Sequence, residues 1–169
     1  MSQPRTLTWA DLPAGLRAVA RWVTIVQTVG YTTSLLFVWQ TTRMTPAGIS
    51  EHYRGADPAA SEGAMNFPKS FTEMLTITHA HLLSMAVIFA LSGAILALCS
   101  RPGSRVRALL IVEPFGALLV SFSAMWLMRY VDPRFSWLLA LSSGIMALTF
   151  YLQSWWNLRE LGWRERRGE

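Results

Sequence analysis

Four long apolar blocks constrain this chain more than any other feature. They span roughly residues 22–41, 74–99, 106–130 and 135–156, and each is almost free of charge in its interior. A helix needs about 20 apolar residues to cross the hydrocarbon core of a membrane. Helices are the structure that such blocks form, because lipid offers no partner for an unpaired backbone group. The blocks therefore predict an all-α integral membrane four-helix bundle, in a single domain over residues 1–169.

Two other segments lie outside these predicted spans. Residues 7–21 predict a short N-terminal interfacial helix, with Asp11 at its start and Pro13 in its first turn. The alternative is that these residues simply extend the first span. Loop 42–73 is the longest connection, and its apolar residues, such as Ile49 and Tyr53, favour an ordered cap packed on the bundle. One or two helical turns are expected near residues 47–54.

The basic residues predict the orientation of the chain. The N-terminal segment, the second loop and the C-terminal segment together hold ten Arg residues, whereas the first and third loops hold five Lys or Arg residues. Flanks rich in Lys and Arg stay in the cytoplasm. We therefore predict a multi-pass protein of the bacterial inner membrane, with both termini in the cytoplasm and loop 42–73 in the periplasm. Basic residues placed beside membrane ends, rather than along a polar surface, exclude nucleic acid as a partner.

Small residues on the second predicted span indicate a close helix contact. Ala86, Ala90, Gly93 and Ala97 follow His79 at helical spacing, and small side chains let membrane helices approach closely. We therefore expect His79 to lie above this packed stripe. His81 is about 200° away around the helix, so it should face a second side.

The three histidines of the chain fall on the predicted periplasmic side. Neutral imidazole is a ligand of haem iron, and histidine inside a membrane span is rare. A haem b held by His79 or His81 is therefore a candidate cofactor, with a second ligand from His52 or a methionine, Met125 or Met128. Arg129 would then pair with a haem propionate.

A metal ion is the second candidate ligand of this region. His79, His81, His52 and Glu73 would be its ligands, although the first two point to opposite sides of one helix. The simpler alternative is that each histidine bonds only to headgroups, water or a loop carbonyl. For Arg129, the simpler alternative is an ion pair that fixes the turn around Asp132.

Glu113 lies inside the third predicted span, directly before Pro114. Proline frees a carbonyl one turn earlier and kinks the helix, so an acid beside it could relay protons or bind a cation. The interpretation that we favour from sequence is a carboxylate that reaches back to Arg105 or Arg107. Near the end of the fourth span, Gln153 and Asn157 accompany two tryptophans and are expected to anchor the interface.

Three stretches carry a family resemblance. Residues 46–55 (PAGISEHYRG), 67–70 (FPKS) and 78–82 (THAHL) resemble a family of small four-helix proteobacterial inner-membrane proteins. This resemblance runs from about residue 40 to the end of the fourth span and implies the fold and location, but no activity. The THAHL segment also resembles a segment in small relatives of the haem–copper oxidase catalytic subunit, where it presents a haem ligand. The other histidine helices of an oxidase are absent, so oxidase activity is not implied.

These patterns lead to two main hypotheses for the function. No hydrolase, kinase, phosphate-binding or zinc-protease motif occurs, and we expect no independent catalytic activity. The first hypothesis is a small subunit with a periplasm-side histidine site that binds haem b or a metal and serves electron transfer within a membrane complex. The second is a non-catalytic structural or assembly subunit of a larger complex. A sensor or transporter ranks third. Both main hypotheses imply the lipid bilayer and other membrane proteins as partners.

Overall fold

The computed structural model describes residues 7–56 and 67–163. Over these residues the regular secondary structure is entirely helical. After a 3₁₀ turn at Trp9–Asp11, the helices are α1 (Ala14–Thr42), α2 (Pro46–Arg54), α3 (Phe71–Ala97), α4 (Ser104–Tyr130) and α5 (Phe135–Trp163). Four of the basic residues used above to predict the orientation lie outside the described residues: Arg5, Arg164, Arg166 and Arg167.

Among the described residues, three helices are long and apolar enough to cross a membrane: α3, α4 and α5. The chain is therefore an all-α, multi-pass membrane protein. Helix α1 has 29 residues and is as long as α5. Its hydropathy is lower because Gln27 and the polar run at residues 31–34 interrupt its apolar stretch. Its role as a fourth span thus does not follow from length and composition alone.

Successive long helices run in opposite directions. At one end of the molecule, Trp9 Nε1 donates to the Ile95 carbonyl (2.9 Å) near the end of α3. Ser100 Oγ, in the α3–α4 loop, donates to the Glu160 carboxylate (2.7 Å) near the end of α5. The start of α1 and the ends of α3 and α5 are thereby held together. Helix α2 lies at the opposite end, where it packs against α1, α4 and α5.

Residues 7–21 do not form a separate interfacial helix. Asp11 Oδ2 accepts from the backbone N–H of Thr8 (3.0 Å), which closes the 3₁₀ turn. Pro13 directly precedes α1, which then continues without a break from Ala14 to Thr42. A proline at this point suits a helix start, because its φ is already fixed and no N–H is needed. Residues 14–21 therefore extend the first long helix, as the alternative interpretation had it.

Helix α3 buries a different face from the one its small residues predicted. Four of its six buried residues share one face: Phe89, Ser92, Gly93 and Leu96. Ala90 and Ala97 are exposed. The large Phe89 ring occupies the space between the helices. The buried face is therefore rotated around the axis of α3 by about 100°, the angle of one residue, from the predicted face. Gly93 lies against α4, where an added Cβ would meet the Ile111 side chain at 3.4 Å.

The described residues of loop 42–73 form a cap on the bundle, as the apolar residues of the loop predicted. Thr45 caps α2, since its hydroxyl accepts from the backbone N–H of Gly48 (3.0 Å). Ile49 is buried in a cluster with Met74 and two methionines of α4. The backbone N–H of Lys69 donates to the Tyr53 carbonyl (3.0 Å), which joins the two described parts of the loop.

Candidate functional site

The outer half of α3 carries two of the three histidines on an exposed surface. A capping box starts the helix: Ser70 Oγ accepts from the Glu73 N–H, and Glu73 Oε2 accepts from the Ser70 N–H (2.7 Å). His79 and His81 follow between two and three turns after the start of α3, and both are exposed. The exposed residues between them around the helix include Thr76, Ala80 and Ser84. Because i and i+2 are about 200° apart, His79 and His81 mark the two edges of this surface, which we call the α3 histidine face. The expectation that His79 lies above a packed stripe is therefore wrong.

The His81 ring is oriented by its own helix. Its Nδ1 lies 2.9 Å from the Ile77 carbonyl oxygen. A carbonyl can only accept, so Nδ1 carries the hydrogen and Nε2 holds the lone pair in the neutral ring. A backbone carbonyl that fixes the tautomer in this way is common behind metal-bound histidines. The Phe122 ring of α4 flanks the His81 ring, with 6.2 Å between their centroids.

His52 lies apart from the α3 histidine face, on α2. Its ring packs edge-on against the Tyr53 ring, with 5.0 Å between centroids. Partial burial lowers the pKa of His52 below its ordinary value, and the Lys69 cation lowers it further. This environment favours the neutral imidazole. Among the described residues, no three His, Cys, Asp or Glu side chains are placed to share a metal ion.

Glu73 and the methionines have packing or capping roles. Besides its capping bonds, Glu73 forms an ion pair with Lys69 (3.7 Å) on the exposed surface of the cap. Met125 and Met128 are buried in the cluster under Ile49. Both side chains therefore take part in the apolar packing between α4 and the cap. The identity of any haem or metal ligand stays a prediction.

Arg129 fastens the loop to the end of α4. Its Nε donates to the Lys69 carbonyl (2.9 Å), and its guanidinium lies over the Tyr130 ring at 4.9 Å. Arg54 makes a similar bond from α2, since its Nη1 donates to the Met128 carbonyl (2.8 Å). Asp132 instead accepts from the backbone N–H of Arg134 (2.7 Å), so the turn is held by a backbone bond.

A buried polar layer lies in the opposite half of the molecule. Gln153 is fully buried, and its Nε2 donates to the Leu110 carbonyl (2.5 Å). That carbonyl is the one that Pro114 leaves unpaired, since Pro114 has no N–H. Asn157, also fully buried, donates to the Ser92 carbonyl (3.1 Å). The expectation that Gln153 and Asn157 anchor the interface is wrong, because both point into the helix contacts.

Glu113 belongs to the same region. Its Oε2 atom is buried and has no hydrogen-bond partner. The structure shows no ion pair between Glu113 and Arg105 or Arg107, all of which are described residues. Arg107 instead donates to the Cys99 carbonyl in the α3–α4 loop (2.5 Å). Because Pro114 has no N–H, it leaves the carbonyl one turn earlier without a partner in α4. The sequence therefore indicated that a polar side chain is needed here, but it does not say which helix supplies that side chain.

Comparison with known proteins supports a helical membrane domain. Neither the search of curated proteins nor the search of solved structures found a significant match. A family model described as a transmembrane helical domain matches residues 43–168, a stretch that includes α2, α3, α4 and α5. Since this match covers about three quarters of the chain, the protein belongs to this family of transmembrane helical domains.

Proposed function

We propose that the chain is a non-catalytic subunit of a larger bacterial inner-membrane complex, with a structural or assembly role. A helix of a partner protein would cover the α3 histidine face. The observation that carries this proposal is the exposure of both His79 and His81 on a helix apolar enough to span a membrane. Ionisable side chains inside membranes face protein or water rather than lipid.

The other polar groups of this face do not need a partner. Thr76 Oγ1 donates to the Thr72 carbonyl (2.9 Å), and Ser84 Oγ donates to the Ala80 carbonyl (2.7 Å). Their bonding capacity is met largely within the helix. An imidazole has two ring nitrogens, and the bond of His81 to its own helix uses one of them. In the hydrocarbon region, lipid offers no hydrogen-bond partner to the second ring nitrogen of His81. A helix of the partner protein would supply one. Ala80 and Ser84 would allow that helix to approach.

Site-specific photo-crosslinking in native membranes tests this proposal. A photoreactive amino acid at Ala80 should give a discrete crosslinked product of one partner. Leu109 is the control, since it is an exposed residue of α4 that lies outside the α3 histidine face. The same residue at Leu109 should crosslink to lipid only. Absence of any protein adduct at Ala80, together with migration of the native complex at the size of the chain alone, would contradict the proposal.

A haem b at this same interface is the second candidate, and it would give the subunit a role in electron transfer. The bond between His81 Nδ1 and the Ile77 carbonyl supports it, since it presents the Nε2 lone pair outward. The second axial ligand would come from the partner. The test is the absorption spectrum of the intact complex purified in mild detergent. A Soret band that is lost in His81→Ala supports this candidate, and a colourless complex argues against it.

The proposed orientation has α1 as a fourth span and both termini in the cytoplasm. Helix α1 packs lengthwise on α5. The Tyr31 ring stacks on the Phe150 ring with 4.3 Å between centroids, and Thr32 Oγ1 lies 2.8 Å from the Tyr151 hydroxyl. An α1 that accompanies α5 along its length would enter the membrane with it. The ten basic residues on the side of the termini, against five on the other, support a cytoplasmic location for both ends.

A further inference from the structure

Arg159, near the end of α5, lies over two indole rings. Its guanidinium carbon is 5.2 Å from the centroid of the Trp155 ring and 5.8 Å from that of the Trp156 ring. The two indoles meet edge to face, with 4.6 Å between their centroids. Attraction to the rings holds the cation in place but uses none of its N–H groups in a hydrogen bond. Within residues 7–56 and 67–163, the exposed guanidinium makes no ion pair or hydrogen bond, so its donors stay available to a ligand.

Arg159 also ends an exposed apolar stripe of α5. Leu148, Leu152 and Trp155 are all exposed. Their spacing puts them on the side of the helix that carries Arg159, within about 60° around its axis. From Leu148 to Arg159 the helix rises by about 16 Å, which is close to half of the roughly 30 Å hydrocarbon core of a membrane. The stripe therefore has the length of one lipid leaflet, with indoles, which favour the interface, beside the cation.

The charge of this end of the molecule selects the lipid headgroup. Arg101 and Arg105 are also exposed here. The Glu160 carboxylate, next to Arg159 in the chain, is engaged within the protein, since it accepts from Ser100 Oγ (2.7 Å). A lipid phosphate would meet N–H donors that form charge-assisted hydrogen bonds with its oxygens. The ammonium of a zwitterionic headgroup would instead face cations. The surface therefore favours an anionic phospholipid, such as phosphatidylglycerol, over a zwitterionic one.

We propose that Trp155, Trp156 and Arg159 form a binding site for one anionic phospholipid at the membrane surface where α5 ends. The guanidinium donates to the phosphate, the Trp155 indole lies at the level of the glycerol, and an acyl chain lies along Leu148 and Leu152. The site requires that α5 spans the membrane, which its length and composition allow. It does not depend on the proposed function, because it lies at the opposite end of the molecule from the α3 histidine face.

Native mass spectrometry of the full chain in mild detergent tests the site. Phosphatidylglycerol and phosphatidylethanolamine with the same acyl chains are titrated separately, and the lipids bound to each protein are counted. We expect one phosphatidylglycerol to bind about tenfold more tightly than phosphatidylethanolamine, because its phosphate pairs with the guanidinium and its headgroup carries no cation. Arg159→Gln should weaken the binding of phosphatidylglycerol by about tenfold and thereby remove the preference. Inorganic phosphate should not displace the lipid, since it lacks the acyl chains that the stripe contacts.

The controls separate this site from a general attraction between charges and from misfolding. Arg105→Gln removes an exposed arginine at the same end of the molecule, and it should change the affinity by less than about twofold, because exposed charges at a distance interact weakly. Trp155→Leu keeps an apolar side chain but removes a ring under the cation, and it should weaken binding severalfold. The comparison of the two lipids on the unaltered chain needs no variant. The proposal is overturned if both lipids bind equally, if Arg105→Gln weakens binding as much as Arg159→Gln, or if inorganic phosphate displaces the lipid.

Discussion

Gly48 is a residue where the fold leaves no room for a side chain. An added Cβ would overlap the backbone carbonyl of Thr42 at the end of α1. Backbone cannot move aside as a side-chain tip does, so we expect Gly48→Ala to destabilise the protein by about 2 kcal/mol. Gly116→Ala is the matched control, because nothing lies within 4 Å of its added Cβ. That change should be neutral or stabilising, since alanine favours a helix. Unfolding in detergent measures both, and equal losses would contradict the packing at Gly48.

His52 should make stability depend on pH. Burial and the Lys69 cation lower its pKa in the folded protein, whereas the unfolded chain keeps the ordinary value of about 6.5. The neutral ring is favoured by folding, so its contribution is fully present above about pH 6.5. It is lost as pH falls from there through the folded pKa, because the unfolded chain binds the proton more readily.

His52→Gln removes this contribution. The Tm of this variant should therefore fall less between pH 7.5 and pH 5 than the Tm of the unaltered chain. His79→Gln serves as the control, because it replaces an exposed histidine on a different helix. A pH dependence that is the same with and without His52 would show that the ring has no part in it.

The sequence showed which residue types merit attention, but it did not show which residues they contact. Histidines and a glutamate in or beside apolar spans were visible in the sequence, and the structure leaves the Oε2 atom of Glu113 buried without a hydrogen-bond partner. The partner of Arg129 was not predictable, since the Lys69 carbonyl is 60 residues away along the chain. The same holds for Gln153 and Leu110, which are separated by 43 residues. Such pairs depend on how helices are rotated against each other, which short-range sequence patterns do not report.

At the scale of elements, Pro114 on α4 and Gln153 on α5 act on the same backbone carbonyl, that of Leu110. Gln153→Leu removes the donor to the Leu110 carbonyl and should cost about 2 kcal/mol, because a buried carbonyl loses its partner. Pro114→Ala restores an N–H that can bond this carbonyl within α4. In that background Gln153→Leu should cost about 1 kcal/mol less. A double-mutant cycle of unfolding free energies measures this coupling, and strictly additive losses would show that the two residues act independently.

The helices themselves were largely predictable, whereas their packed faces were not. Blocks of apolar residues predicted α3, α4 and most of α5, because hydrocarbon thickness sets a minimum length. In a lipid-exposed bundle, however, apolar residues occupy both the buried and the exposed faces. Leu83 and Val87 are exposed, for example, while Phe89 is buried. Hydrophobicity therefore carries little information on rotation, and the small residues of α3 gave the wrong face.

At the scale of the whole molecule, α1 decides the topology. The family match at residues 43–168 begins just after α1 ends, and it contains the three helices that meet the criteria for a span. Three crossings put the two ends of that region on opposite sides of a membrane. A crossing by α1 would bring the N terminus to the side of the C terminus. Its packing along α5, through Tyr31 and Phe150 among others, favours a crossing over a position on the surface.

Reporter fusions to the full chain in a bacterial inner membrane test this directly. Green fluorescent protein folds in the cytoplasm, whereas alkaline phosphatase is active in the periplasm. Fluorescence should appear with the reporter at either terminus, and phosphatase activity with a reporter inserted between residues 57 and 66. Replacing Arg17 and Arg21 together by Ser removes positive charge from the start of α1 and should reduce N-terminal fluorescence. Fluorescence at the C terminus with phosphatase activity at the N terminus would mean that α1 does not cross, and that the membrane domain has three spans.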